Sequence, residues 1–151
     1  MADQQPRVPI ATGEPYVSLD DHVGHLLRRA HQRSTAIFQK VIGDDQITPT
    51  QYAALLRLEE QNELSQNHLG RLTAMDPATT QGVIRRLLER HLIAARADPH
   101  DRRRTLLSLT DSGRQLLART APNSPAVADA ILAPLAPEER GAFIDLLRRL
   151  A

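Results

Sequence analysis

Residues 98–113 read DPHDRRRTLLSLTDSG: three consecutive arginines on a polar loop, then an apolar run, then a threonine placed to cap a helix. Residues 92–97 and 105–109 are short apolar runs of strand length, so residues 98–104 read as the tip of a β-hairpin. Like charges at adjacent positions repel, and an arginine held in place gives up much side-chain entropy. A partner outside the chain would offset that cost, and the segments on either side of the hairpin indicate its kind.

Upstream, Asp76-Pro77 supplies an N-cap and a first-turn proline for a helix whose Val83, Ile84, Leu87 and Leu88 form the buried stripe. Ser65 caps a shorter helix holding Leu69 and Leu72, and residues 73–76 alone separate the two, the spacing of a helix-turn-helix. Thr48-Pro49-Thr50-Gln51 opens an earlier helix with cap, proline and capping-box glutamine; it carries Tyr52, Ala53, Leu55, Leu56 and Leu58 and breaks near Asn62. A first helix is predicted from a Ser18/Asp21 capping box to about Ile42, since Val23, Leu26, Leu27, Ala30, Ile37, Phe38 and Val41 recur at helical spacing. Downstream, Thr110-Asp111 caps a helix with Leu116 and Leu117 that Pro122 and Pro125 should break or kink. Residues 126–133 follow, and Pro137-Glu138-Glu139 opens a last helix with Phe143, Leu146, Leu147 and Leu150 on one face. The fold class is therefore mainly α with a small β-hairpin wing.

A chain of 151 residues with 41% hydrophobic composition supports one core, or one small domain with a helical appendage. It contains no apolar run long enough to span a membrane, and residues 1–16 lack the apolar stretch of a signal peptide, so a cytoplasmic protein without membrane contact is expected. The absence of cysteine removes disulfides, thiolate metal sites and thiol redox sensing together. His22 and His25 stand at i, i+3, but no third ligand lies at a matching offset, and no glycine-rich phosphate loop or G-x-S-x-G elbow occurs. Neither an enzyme, a metal site nor a cofactor is expected. The net charge of +1 conceals an uneven distribution: residues 64–119 carry ten arginines against five acids. Lys40 is the only lysine, so the charge is almost wholly guanidinium, whose fixed fork suits phosphates and guanine edges. A high-GC coding bias accounts for much of the lysine deficit but not for the clustering.

Taken in order, helix, helix, helix-turn-helix, two-stranded wing, helix, helix is a winged helix-turn-helix layout with a helical dimerisation lobe. The residues Asp101-Arg102-Arg103, Leu106-Leu107-Ser108-Leu109-Thr110 and Gly113, together with Ile47-Thr48-Pro49-Thr50-Gln51, resemble the MarR family of transcription regulators over about residues 19–151. Within it, Leu64-Ser65-Gln66-Asn67, Leu69-Gly70-Arg71 and Thr73-Ala74-Met75-Asp76 resemble the branch that regulates nicotinate degradation. The resemblance implies a homodimeric, ligand-responsive repressor on double-stranded DNA, released from a pseudo-palindromic operator by a small aromatic carboxylate such as 6-hydroxynicotinate. The segments expected on this reading are a flexible arm over 1–17, a dimerisation helix over 18–46, a winged helix-turn-helix over 47–120 and C-terminal dimerisation helices over 121–151. The alternative class is a winged helix that uses its basic face on a protein or RNA, without sequence-specific DNA binding.

Pro77, Thr79, Thr80 and Gln81 put small or hydrogen-bonding groups at the start of the fourth helix, where they could enter a major groove; Thr79, Thr80 and Gln81 are expected on base edges and Arg85 on phosphate. The start of the fourth helix also favours phosphates through its unpaired amides, and Ser65 and Gln66 at the start of the third could reach the neighbouring backbone. By itself Thr79 would read as a first-turn residue supporting its own helix. Gly82 departs from the family, which often carries an arginine near this position, and is either an accommodation to close approach or a loss of base readout. Arg86, one turn before Arg90, could face the wing and pair with Asp101. The resemblance implies Arg103 as the minor-groove arginine and Asp101 as a brace that orients it, while Arg102 and Arg104 are expected on phosphate or only raise the local field. For the effector, His22, His25, Arg29 and His31 crowd the first helix; Arg29, His31 and Tyr52 could hold a carboxylate, with Phe38, Leu55 and Leu56 lining a slot for the ring. Equally open is that Tyr52 is core and the basic residues form a solvated face.

Overall fold

The computed structural model describes residues 18–151, so the expected arm over 1–17 lies outside the described residues. Its helices are α1 (Val23–Val41), α2 (Pro49–Gln61), α3 (Gln66–Leu72), α4 (Pro77–Glu89), α5 (Asp111–Thr120), α6 (Ser124–Leu132) and α7 (Pro137–Leu150). Three short strands, β1 (Glu63–Ser65), β2 (Ile93–Ala97) and β3 (Thr105–Leu109), form an antiparallel sheet with β3 in the centre. The architecture is mainly helical with a small winged sheet. Among the described residues no helix is long and apolar enough to cross a membrane.

Local chemistry sets most boundaries. Thr48 Oγ1 accepts from the Gln51 amide at 3.3 Å while Gln51 Oε1 accepts from the Thr48 amide at 3.2 Å, the reciprocal box that starts α2. Ser65 and Asp76 accept from the amides of His68 and Thr79 at the starts of α3 and α4. Thr110 Oγ1 accepts from Gly113 at the start of α5 and donates to the His91 carbonyl at 2.6 Å. A Cβ at Gly113 would collide with the Leu92 carbonyl, so only glycine lets α5 approach the turn between α4 and β2. The Thr110 and Gly113 of the wing motif are thus two halves of one lock.

Two expectations are corrected and a third is met. Ser18 makes no side-chain cap; a 3-10 turn over Leu19–Asp21 comes first, closed by the Asp21 amide on the Ser18 carbonyl, and α1 begins after His22. The wing is three-stranded rather than a hairpin, because β1 pairs Leu64 with Leu107 while Ala95 meets Leu107 from the other side. Pro122 and Pro125 do interrupt the fifth helix, as a 3-10 turn over Ala121–Asn123 between α5 and α6.

The core lies between α2, α4, α5 and the sheet, where Ile47, Leu55, Leu58, Leu69, Leu87 and Leu107 are almost wholly inaccessible. The terminal helices differ. α1 buries only Phe38, α7 buries no residue, and Leu19, Val23, Leu146 and Leu150 stay exposed.

Candidate nucleic-acid interface

Asp76 opens α4 with both carboxylate oxygens spent on Thr79, Oδ1 on its amide at 2.9 Å and Oδ2 on its hydroxyl at 2.6 Å. Those bonds, the hydroxyl's first and the amide's second, hold the Asp76 carboxyl below its ordinary value of 3.8. Thr79 is therefore exposed, but its hydroxyl is engaged in the first turn. Thr80 is corrected outright. It is 2% exposed, donates to the Asp76 carbonyl at 2.8 Å, and faces Gly70 of α3, where a Cβ would come within 2.7 Å of its hydroxyl oxygen. Thr80 and Gly70 are the small pair on which α3 crosses α4, so Thr80 does not reach bases. The outward stripe of α4 is Ala78, Gln81, Gly82 and Arg85, with Pro77 exposed at its head. Arg85 lies 3.8 Å from Glu89, an exposed pair of little energetic consequence.

The wing tip is organised by two acids. Asp98, 7% exposed, accepts from the His100 amide at 2.9 Å and lies 3.8 Å from Arg104 Nε. The His100 amide above all, and then the Arg104 guanidinium, hold the Asp98 carboxyl below its ordinary value. Asp101 accepts from the Arg103 amide at 3.0 Å. Among the described residues no ion pair joins Arg86 to Asp101, which corrects that pairing: Asp101 holds the Arg103 amide instead, and the carboxylate–arginine contact at the tip is Asp98 with Arg104. Arg96 of β2 adds a second support by gripping Glu63 of β1 with two bonds of 2.8 and 2.7 Å.

Ser65, Gln66, Asn67, Arg71, Arg103, Arg104 and Thr105 line a concave polar groove of about 410 Å³ between α3 and the base of the wing. A second hollow, of about 390 Å³, shares Gln66, Asn67 and Arg71 and continues to Pro77 at the head of α4. Arg71 stands at the centre of this surface and was missed by sequence reasoning; the signal available was its place one turn after Asn67 on the short third helix. Among the described residues no acid pairs with Arg71, Arg102 or Arg103, so three guanidiniums are available to an external anion.

The expected effector residues do not converge within one chain. His22, Arg29 and His31 are exposed on α1, His25 is half-exposed, and Arg29 lies 3.9 Å from Asp20. Phe38 and Tyr52 are buried with ring centroids 5.4 Å apart, and the Tyr52 hydroxyl meets Ser124 Oγ at 3.1 Å. Leu55 is fully buried, whereas Leu56 is exposed. Tyr52 is core with a polar tip directed at α6. Among the described residues no group of three or more histidines, aspartates and glutamates is placed to hold a metal.

The sequence pattern described as the MarR family matches residues 45–104. The chain is 40% identical over 136 residues, 90% of its length and 85% of the relative's, to the HTH-type transcriptional repressor NicR of Pseudomonas putida. A probable transcriptional regulator from Pseudomonas aeruginosa has a similar crystal structure, with TM-score 0.83, 46% identity, and 89% of this chain and all of that one covered. The BpsR protein of Bordetella bronchiseptica, described as regulated in its DNA binding by 6-hydroxynicotinic acid, superimposes with TM-score 0.77 at 43% identity over 85% of this chain and 97% of that one.

Proposed function

This chain belongs to the MarR family, and from that premise we propose that it is a homodimeric repressor that binds an operator and releases it on binding a hydroxylated pyridine carboxylate. The observation that carries the reading is the set of arginines without acid partners among the described residues: Arg71 and Arg103 on the groove between α3 and the wing, which continues past Arg71 to Pro77 at the head of α4, and Arg102 next to Arg103 at the wing tip. Such an arrangement neutralises phosphates along one face while a helix of small and amide-bearing side chains meets base edges. Gln81 and Arg85 reach into the major groove, with Ala78 beside them. Ser65, Gln66 and Arg71 hold the backbone that crosses the α3 groove, and Arg102 and Arg104 hold the backbone at the wing. Arg103, presented at the tip by Asp101, enters the minor groove.

Two chains are needed because Leu19, Val23, Leu26 and Leu27 at one end and Phe143, Leu146, Leu147 and Leu150 at the other remain exposed. Packing these faces across a two-fold axis removes them from water and sets two α4 helices about one helical turn of DNA apart. The effector class follows from the similarity to NicR and BpsR. Acting on chromosomal DNA, the protein works in the cytoplasm.

The test is binding to a duplex from the chain's own upstream region, followed by fluorescence anisotropy. Binding that weakens with salt, is poorly competed by unrelated DNA and is reversed by 6-hydroxynicotinate is expected. Equal affinity for every duplex would overturn the operator reading, and an unchanged affinity with the ligand present would overturn the effector. Arg103→Ala should weaken binding more than Arg104→Ala, since Arg104 is partly held by Asp98.

A further inference from the structure

The loop between α1 and α2 ties together elements distant in the chain. Asp44, with its side chain only 11% exposed, uses Oδ1 to accept from the Gln46 amide at 3.0 Å. Its Oδ2 accepts from Arg119 at 3.1 Å, at the end of α5, and lies 3.5 Å from Arg90, the residue that ends α4. Asn123, in the 3-10 turn between α5 and α6, donates to the Ile42 carbonyl at 3.0 Å. Gly43 has φ +89°, and a Cβ there would come within 2.8 Å of the Asn123 amide nitrogen. One short loop therefore meets the end of α1, the end of α4 and the kink that joins α5 to α6.

The charges at this knot are unequal. One carboxylate faces two guanidiniums, and Arg90 Nη1 is buried with no hydrogen-bond partner. A buried donor without an acceptor makes the observed arrangement less favourable than a saturated one, so a competing arrangement is brought closer in energy. The knot also grips α4 at the end remote from the proposed groove contacts. A helix of 13 residues is about 20 Å long, so a shift at Arg90 is carried rigidly to Ala78 and Gln81.

We propose that Asp44 is a positioning residue: by holding Arg90 and Arg119 with one carboxylate it fixes α4 relative to the terminal helices, and so sets the half-site spacing the dimer accepts. The inference rests on the reading of the chain as a dimeric operator-binding protein. Full-length protein is measured against its operator and against versions with one base pair added or removed between half-sites. Each change rotates the second half-site by about 35° around the duplex. Wild-type protein should lose about tenfold or more in affinity on the altered spacings, a loss of about 1.4 kcal/mol. Asp44→Asn should bind all three duplexes within about threefold of one another, with affinity for an isolated half-site unchanged. Asp44→Glu, which can still reach both arginines, should recover spacing preference. Arg119→Gln, a change at an exposed side chain that leaves the Arg90 contact in place, should lie between and serves if Asp44→Asn folds poorly. A uniform loss on all duplexes would show a merely structural role and overturn the proposal. So would spacing preference retained in both Asp44→Asn and Arg119→Gln. Absence of any spacing preference in the wild type would overturn the proposal too, whereas a wild type that binds the full operator no more tightly than an isolated half-site would overturn the dimeric reading on which it rests.

Discussion

Leu87 of α4 and Leu150 of α7 belong to equally apolar helix faces, yet the first is wholly inaccessible and the second is 74% exposed. The winged half closes most of its core with side chains drawn from α2, α4, α5 and the sheet, joined by Phe38 of α1, Ile42 just after it and Val127 of α6. The terminal helices present matching stripes with nothing on them. The stability of one half is therefore a property of the chain, whereas that of the other is tied to protein concentration.

Leu146→Asp combined with Leu147→Asp should leave the winged half folded but give a monomer by sedimentation. Loss of the second half-site should weaken operator binding by about a hundredfold or more. A variant that remains a dimer would erase the contrast between the halves. Leu87→Ala should destabilise the folded chain by about 2–5 kcal/mol in denaturant titrations through the cavity it leaves. If the winged half is self-contained, that loss is the same at every protein concentration. Gly82→Ala refines the contrast further, because nothing lies within 4 Å of the added Cβ. It should raise stability by about 1 kcal/mol, as glycine is a poor helix residue, while weakening operator binding if α4 sits close to the groove floor. The smallest effect is on acid stability. Asp76 and Asp98 have carboxyls lowered from 3.8, so each stabilises the folded state above that value and loses the contribution as pH falls through its lower folded-state value. Asp98→Asn should flatten the stability profile between about pH 5 and about pH 2, read by circular dichroism.

The two halves were also unequally legible. Thr48 with Gln51, Asp76 with Pro77, and Thr110 with Gly113 act within one turn of chain, so their residue types alone announce the helix starts. Thr80 could not be read that way. It differs from Gln81 by one position, and what buries it is the glycine of another helix, Gly70. Asp98 gave no signal in the sequence either, since its place beside Arg104 depends on its end of the loop being covered. Ser18 had the composition of a cap but stands before a 3-10 turn. The three residues of β1 were too few for any alternation to show. That the residues expected around an effector do not come together within one chain depends on how α1, α2 and α6 assemble, which no local pattern encodes.

That short strand has a consequence for what the protein can measure. Because β1 runs directly into α3 and pairs with β3, while Arg96 clasps Glu63 across the sheet, the wing and the helix-turn-helix form one stiff frame. The offset between the Arg103 tip and the outward stripe of α4 is then a fixed length. On the proposed reading each half-site would be read with a caliper rather than a hinge: a narrow minor groove moved by one base pair relative to the major-groove contacts would fall out of phase with the tip. The reach of the wing along the duplex would then be set by three residues, Glu63, Leu64 and Ser65, none of which is proposed to touch a base.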